Sequence, residues 1–439
     1  MSSEDPILII GAGIIGLTLA QALRKASIPF KIFERDSEIL ARGSGWGMTI
    51  HWALPAFIEL LPQDIVDRLP ETYVNPEAVN NGEKGQFMFY DLRSGEERWK
   101  VPPNDRIRVS RQRLRNLLMT GVDVQWGKRL EDTTTTATST TAKFDDGSSI
   151  QGSLLIGCDG SRSRVRQILN PSDFDNYKLP VRLLGVSVPY PVEKAQKIRE
   201  LDPYFLQGGD PKTDAFFWFS FLDTPTNNDR GTETYTCQIL TSWPYRAGFL
   251  DRPEPTEIPE KNEDRVKLMK TITAGWAEPF KSIVQNIPLD AEAKAINLED
   301  WVPRAGRCIN PEKNVLLIGD AAHAMTMCMK NLSPEKYACG KCADDTLVRG
   351  EAGNHGITDV ESLLQHTLPA LKAAFAAGSS SHGFEDFKAA TTAFEHEMCE
   401  RTARGVLASR RACLDAHSYQ SINEKSPLIA RRVVNIESD

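Results

Sequence analysis

One stretch constrains the fold more than any other: PILIIGAGIIGLTLAQALRKASIPFKIFE, residues 6–34. A short apolar run leads into Gly11, Gly13 and Gly16, spaced G-x-G-x-x-G. The following GLTLAQALRKA repeats apolar residues at helical spacing, and FKIFE reads as a second strand. The order strand, glycine turn, helix, strand predicts a dinucleotide-binding start. Gly11 permits the tight turn, Gly13 lets the backbone approach a pyrophosphate, and Gly16 lets helix and strand pack closely. The helix N-terminus then faces the phosphates. Glu34 ends the second strand at the distance expected of an acid that binds a ribose hydroxyl. A glycine-rich turn followed by a surface Glu is the competing reading, and the flanking strand and helix disfavour it.

The 439 residues suggest one large or two to three medium domains. With 41% hydrophobic and 25% charged residues, the composition is that of an ordinary globular protein. A net charge of -7 argues against a nucleic-acid or anionic-membrane partner. The opening MSSEDPILIIG lacks the basic start of a signal peptide, and glycines and polar residues interrupt the apolar run from Ile7 to Leu23. No membrane span is expected. Eight scattered cysteines then read as reduced thiols, with a cytoplasmic location.

Further along, Val122 to Ile156 alternates short β-type runs with turns. Within it EDTTTTATSTTA, residues 131–142, is low-complexity and predicts a solvated loop or hairpin tip. From Val181 to about Leu289, aromatic strand-like segments such as DAFFWFSFLD suggest a separate sheet domain. From Gly356 onward the pattern is mostly helical.

Two later segments extend the opening motif. SLLIGCDGSRSRVR carries Asp159-Gly160 after a strand, and NVLLIGDAAHAMTM carries Gly319-Asp320 after another. Either Asp alone could simply cap a strand end or helix start. Together, in this order behind the G-x-G-x-x-G, they resemble the FAD-dependent aromatic hydroxylases, the group that includes para-hydroxybenzoate and salicylate hydroxylase. Stretches such as KLPVRLLGVSV and RGEAGNHGITDV are most similar to fungal secondary-metabolism FAD-dependent monooxygenases.

The resemblance implies an α/β protein. A Rossmann-like FAD-binding domain of the para-hydroxybenzoate hydroxylase type would be built from residues 1–80, 106–180 and 296–370. Residues 81–105 would make an excursion into a β-sheet substrate domain at 181–295, and helices would fill 371–439. Noncovalent FAD would be the cofactor and NAD(P)H the co-substrate. A flavin C4a-hydroperoxide would pass oxygen to a small phenolic or polyketide-type aromatic. Baeyer–Villiger or epoxidising chemistry on the same scaffold, an FAD-dependent dehydrogenase, and an inactive flavoprotein are the alternatives.

By the same resemblance, Glu34 would bind the adenosine ribose, and Arg42 and Gly47 would contact the adenosine half of FAD. Arg111 would contact the phosphates or ribityl chain. Asp159 is linked to both FAD and the pyridine nucleotide, and Asp320 would accept from ribityl hydroxyls. Gly353 and Asn354 would begin a helix whose N-terminus lies under the flavin pyrimidine ring. Arg182 would stabilise a substrate phenolate, with a structural ion pair as its competing role. The run Phe216 to Phe221 offers aromatic surface or simply core. His51 could approach the flavin edge, and His323 reads as packing or capping. No metal site is expected.

One segment breaks the pattern. The resembling enzymes run almost directly from GDAAHAMTM to RGEAGN, whereas here the twenty-one residues from Cys328 to Val348 intervene. Its C-x-x-C, Cys339 and Cys342, lacks the second pair of a zinc site and the strand-to-helix context of a redox motif. A retained intron translated in frame explains more. Cys328-Met329 can be encoded with GTATG and Leu347-Val348 with a terminal AG. Their removal would leave a single Phe codon and restore the pattern.

Overall fold

The computed structural model describes residues 5–38, 45–101, 105–136, 139–228, 231–310, 314–326, 351–377 and 381–429. Arg42 and the segment 328–348 lie outside them.

The first strand, Ile7–Ile10, is buried at every position. It sits in a six-stranded sheet whose order is Ile309–Asn310, Val315–Leu317, Leu154–Gly157, Ile7–Ile10, Phe30–Phe33 and Val124–Gln125. All neighbours are parallel except the Ile309–Asn310 edge. Continuous apolar runs such as ILII and LLIG are what a parallel sheet covered on both faces requires. The helices Ile14–Lys25, Arg111–Leu118 and Glu351–Ala377 contribute apolar residues to the same core.

A seven-stranded sheet forms the second layer system, in the order Lys294–Ile296, Val181–Pro191, Thr234–Pro244, Phe216–Asp223, Phe205–Gly209, Phe87–Asp91 and Glu97–Val101. Two strands from residues 87–101 thus join a sheet otherwise made of residues 181–296. Side chains alternate across it. Phe217, Phe219 and Phe221 pack into a core with the helices Asn262–Thr273 and Phe280–Gln285, whereas Phe216 and Trp218 face the opposite side. The run read as one aromatic surface is therefore split between core and seam.

The threonine run is also more regular than expected. Leu130–Thr135 and Thr140–Phe144 form an antiparallel hairpin with Thr135 opposite Thr140, because β-branched threonine suits a half-solvated strand. Two long helices, Glu351–Ala377 and Ser381–Ala416, close the molecule. Among the described residues no helix is long and apolar enough to cross a membrane.

Candidate active site

The glycine turn discriminates sharply between its three positions. Gly11 has φ +106°, and a Cβ there would lie 2.5 Å from the Cys158 carbonyl oxygen. A Cβ at Gly16 would lie 2.0 Å from the Gly11 carbonyl oxygen, so any side chain would force helix and turn apart. A Cβ at Gly13 would meet nothing within 4 Å. Gly13 is also the N-cap of the helix Ile14–Lys25 and provides no side-chain cap. Gly13 lines a cleft, so the helix start opens onto it.

That cleft, about 430 Å³, is lined by Gly11, Gly13, Glu34, Arg111 and Asp159 among others. Glu34 is buried; its Oε2 accepts from the Ala12 N–H at 3.0 Å and its Oε1 from Asp36 N–H at 3.2 Å. Arg115 steadies both sides of this turn, donating to the Ala12 carbonyl at 2.8 Å and approaching Glu34 at 3.5 Å. Glu34 lines the cleft, where its carboxylate suits a ligand hydroxyl as donor. Asp159 accepts from Ser163 Oγ at 2.5 Å and from the Arg164 N–H at 2.6 Å, which orders the turn into the helix Arg164–Leu169. Burial pushes its pKa up, and those hydrogen bonds pull it back.

Asp320 lies at the end of the Val315–Leu317 strand, within the turn Gly319–Ala321. It is surrounded by protein mass, yet its side chain opens to solvent, as a ligand-facing acid in a cleft does. That enclosure raises its pKa, and the charges of His323, Arg111 and Arg166 oppose the rise. Arg111, exposed at the start of the helix Arg111–Leu118, thus serves both the Glu34 cleft and Asp320.

Beneath Asp320 lies a polar network absent from the sequence reading. Asp359, fully buried, accepts from Gly319 N–H at 2.7 Å, His323 Nε2–H at 2.6 Å and Arg401 at 2.9 Å. Burial alone would raise its pKa, but His323 and Arg401 hold it well below the usual carboxylate range. His323 is therefore a bonded member of the network that fixes the Asp320 turn, a role its buried neighbours Asp359 and Arg401, far apart in sequence, define.

Gly353 and Asn354 lie in the first turns of the helix Glu351–Ala377 and dock on the strand Gly47–Ile50. Asn354 donates to the Thr49 carbonyl at 3.0 Å and accepts from His51 N–H at 3.0 Å. A Cβ at Gly353 would lie 3.0 Å from Met48 Sδ. His51 is buried with both ring nitrogens unpartnered, and burial together with the Arg106 charge keeps it neutral, its pKa far below that of a free imidazole.

Two residues sit elsewhere than the resemblance implied. Gly47 lies in the seam between the two sheets, with Arg108 and Leu222 against it, rather than on the Glu34 cleft, because its strand pairs with Ile107–Ser110. Arg182 pairs with Glu257 at 3.0 Å and stacks on Tyr245 at 3.6 Å. It lies opposite Trp243 in register, on the helix-covered face of the sheet and away from the seam. The ion pair, rather than a phenolate contact, is its role in this structure.

The uncapped helix start at Gly13, the cleft-lining Glu34 carboxylate, the solvent-facing Asp320 and the unpartnered His51 ring all fit a bound FAD. The fold and this donor set define a flavin-binding protein, and comparison with known proteins agrees. Residues 4–198 match the FAD binding domain family. The chain is 51% identical over 442 residues to the "Probable FAD-dependent monooxygenase" of Arthroderma benhamiae, covering 98% of this chain and 96% of that protein. It is 36% identical over 378 residues to the FAD-dependent monooxygenase dbaB of Emericella nidulans, covering 83% and 87%. Its fold matches Klebsiella pneumoniae HpxO, solved with FAD and uric acid, at a TM-score of 0.66, 21% identity and 96% and 91% coverage. The chain belongs to the FAD-dependent monooxygenases, and FAD is its cofactor.

Proposed function

We infer that the protein hydroxylates a small phenolic or polyketide-type aromatic, consuming NAD(P)H and O2, in the cytoplasm and as a step of secondary metabolism. One observation carries this reading. The seam-facing side of the seven-stranded sheet presents Phe205 stacked on Trp218, with centroids 5.2 Å apart, beside the Gly47–Ile50 strand that Asn354 clamps. A planar, electron-rich ring suits such a surface.

FAD, when bound, supplies the redox and oxygen chemistry. The chain's own residues divide the binding and positioning. Gly11 and Gly16 set the turn, and Gly13 with the uncapped helix start binds the pyrophosphate. Glu34 binds the adenosine ribose, with Arg42 on the adenosine half. Arg111 takes the phosphates or ribityl chain, and Asp320 accepts from ribityl hydroxyls. Asp159 orders the turn shared with the pyridine nucleotide. Gly353 and Asn354 hold the helix start against the strand beside the flavin. Residues 1–80, 106–180 and 296–370 act as the FAD-binding unit, 81–105 and 181–295 as the substrate sheet, and 371–439 as helical cover. The buried thiols Cys158, Cys237, Cys308, Cys399 and Cys413 support a reducing compartment.

The test begins with the compound that accumulates when the gene is disrupted. Supplied to the purified enzyme, it should stimulate NADH or NADPH oxidation, and one atom of label from 18O2 should enter the product. Stimulated oxidation without label would make the protein a dehydrogenase or oxidase. Label inserted next to a carbonyl or as an epoxide would replace hydroxylation with those chemistries.

A further inference from the structure

Two arginines in the seam have no ion-pair partner among the described residues. Arg108, on the strand Ile107–Ser110, is 6% exposed. It donates from Nη1 to Thr49 Oγ1 at 2.9 Å, and its Nε–H has no acceptor. Arg106, two residues earlier on the same side, gives one Nη2–H to the Lys84 carbonyl at 3.1 Å, and its Nε–H also has no acceptor. Both guanidinium groups lie over one ring, Phe205, at 5.1 Å for Arg106 and 5.3 Å for Arg108, and Arg108 is 6.0 Å from Trp218. Among the described residues neither forms an ion pair. The acid whose charge reaches them, Asp202, uses its oxygens on the N–H groups of Gln86, Tyr204 and Phe205.

Ring faces attract cations, but two like charges on one ring also repel each other. Burial, and then the Arg106 charge, lower the Arg108 pKa to about 9, with Asp202 opposing. A third orphan lies on the same aromatic face of the sheet. Gln207 is fully buried, opposite Trp218 in register and so on the same sheet face, and both ends of its amide are unpartnered. Buried charges are normally paired, and buried amides hydrogen-bonded. Here, two guanidinium groups and an amide border the same aromatic pair: both arginines lie over Phe205, Arg108 also lies 6.0 Å from Trp218, and Gln207 is opposite Trp218.

We propose that Arg106 and Arg108, with Gln207, form an anion site in the seam that takes the carboxylate of an aromatic substrate. A carboxylate offers about four acceptor sites to guanidinium and amide donors, more than a phenolate oxygen does. Arg108 thereby takes the substrate-facing role that the sequence suggested for Arg182, which Glu257 occupies. The proposal rests on the aromatic-substrate reading above, but it is tested by binding rather than turnover. An enzyme that binds the acid selectively and never transfers oxygen would overturn only the earlier reading.

The experiment titrates the FAD-loaded full chain with 3-hydroxy-2-naphthoate and with its neutral counterpart 3-hydroxy-2-naphthamide, followed by the flavin absorbance. The acid should bind at least tenfold more tightly. Arg108→Met should bring the two within about twofold, and Arg108→Lys should keep part of the preference. In carboxylate-free buffer Arg108→Met should melt no lower than the native protein, since it removes an uncompensated buried charge. It should lose the rise in melting temperature that the acid gives the native enzyme. If Arg108→Met does not fold, the charge has a structural role, and Arg106→Met must then abolish the preference for the site to stand. Equal binding of acid and amide by the native enzyme, or binding of neither, would overturn the proposal. So would a preference that survives in an FAD-retaining Arg108→Met. A shifted flavin potential with the preference unchanged would overturn it too, and would assign the charge to the cofactor.

Discussion

Asp320 and His417 show how one residue's surroundings set what it can do. Asp320 is held by a turn whose Gly319 N–H is bonded to Asp359, so its carboxylate is aimed before any ligand arrives. Asp320→Ala should weaken FAD binding by about 1.5–3 kcal/mol, the worth of a hydrogen bond to a charged group. Flavin fluorescence on dilution measures this directly, and unchanged affinity would remove Asp320 from the ribityl site. His417 is buried and neutral: Nδ1–H donates to the Cys413 carbonyl at 2.7 Å, and Nε2 accepts from Ser242 Oγ–H at 2.8 Å. Burial brings its pKa from 6.5 down to about 4. Below pH 6.5 the unfolded chain takes a proton that the folded chain refuses. The contribution is therefore whole above pH 6.5 and is lost as pH falls toward 4, by roughly 3 kcal/mol. Buried, neutral His51 and His355 act with the same sign. Urea midpoints at pH 7 and pH 4.5 should differ less in His417→Gln than in the native protein. An identical difference would mean that His417 is not the group titrating.

At the scale of elements, the first turn separates packing from ligand binding. Gly16→Ala drives a Cβ into the Gly11 carbonyl and should cost roughly 1–3 kcal/mol of stability as well as FAD. Gly13→Ala meets no protein atom and its extended backbone suits any residue, so the apoprotein should melt within a few degrees of native, the poorer cap being offset by the lower entropy of the unfolded chain. FAD retention should nevertheless fall, and a Gly13→Ala protein with full FAD would mean that the pyrophosphate lies elsewhere. This turn was legible in the sequence because its signals lie within thirty residues, although Cys158 and Arg115 also pack against it. Glycine spacing, helical periodicity and Glu34 at a strand end are local signals. Asp159 and Asp320 were legible for the same reason, each ending an apolar run. Alternation on a strand says which residues share a face, but not what that face meets. Hence Arg182 gave no sign of Glu257, 75 positions away, and Arg108 read as one more charge in IRVSR. The Asp359–His323–Arg401 network joins three stretches, and only packing brings them together. A basic residue between apolar neighbours on a short strand was the one available signal for Arg108.

For the whole molecule, the segment 328–348 decides how well these parts serve one cofactor. On either side of it the structure is in direct contact. A Cβ at Gly356 would lie 3.4 Å from the Gly319 Cα, and Asp359 holds the Gly319 N–H at 2.7 Å. The described residues on either side thus pack directly against one another. Lengthening a connection costs little, about 0.6 kcal/mol per doubling, so the long chain can fold as the short one does. Function is less tolerant. The segment interrupts the connection between Asp320 and Gly353, two residues assigned to neighbouring parts of one flavin, and its sequence carries no clear strand or amphipathic helix. Replacing Cys328 to Val348 by one Phe should therefore leave the melting temperature of the apoprotein within a few degrees. It should raise the FAD retained per chain and lower the hydrogen peroxide released per NAD(P)H consumed, because a shorter connection closes the site to water. Added zinc should change neither form, since one C-x-x-C lacks the four ligands of a structural site. Stoichiometric zinc in the long form, or tighter FAD binding and better coupling in the long form than in the short one, would make the segment a working part of the enzyme. Sequencing the transcript decides between the two accounts before any protein is made: a message with a single Phe codon between Met327 and Arg349 identifies the segment as intron, and a message carrying all twenty-one codons does not.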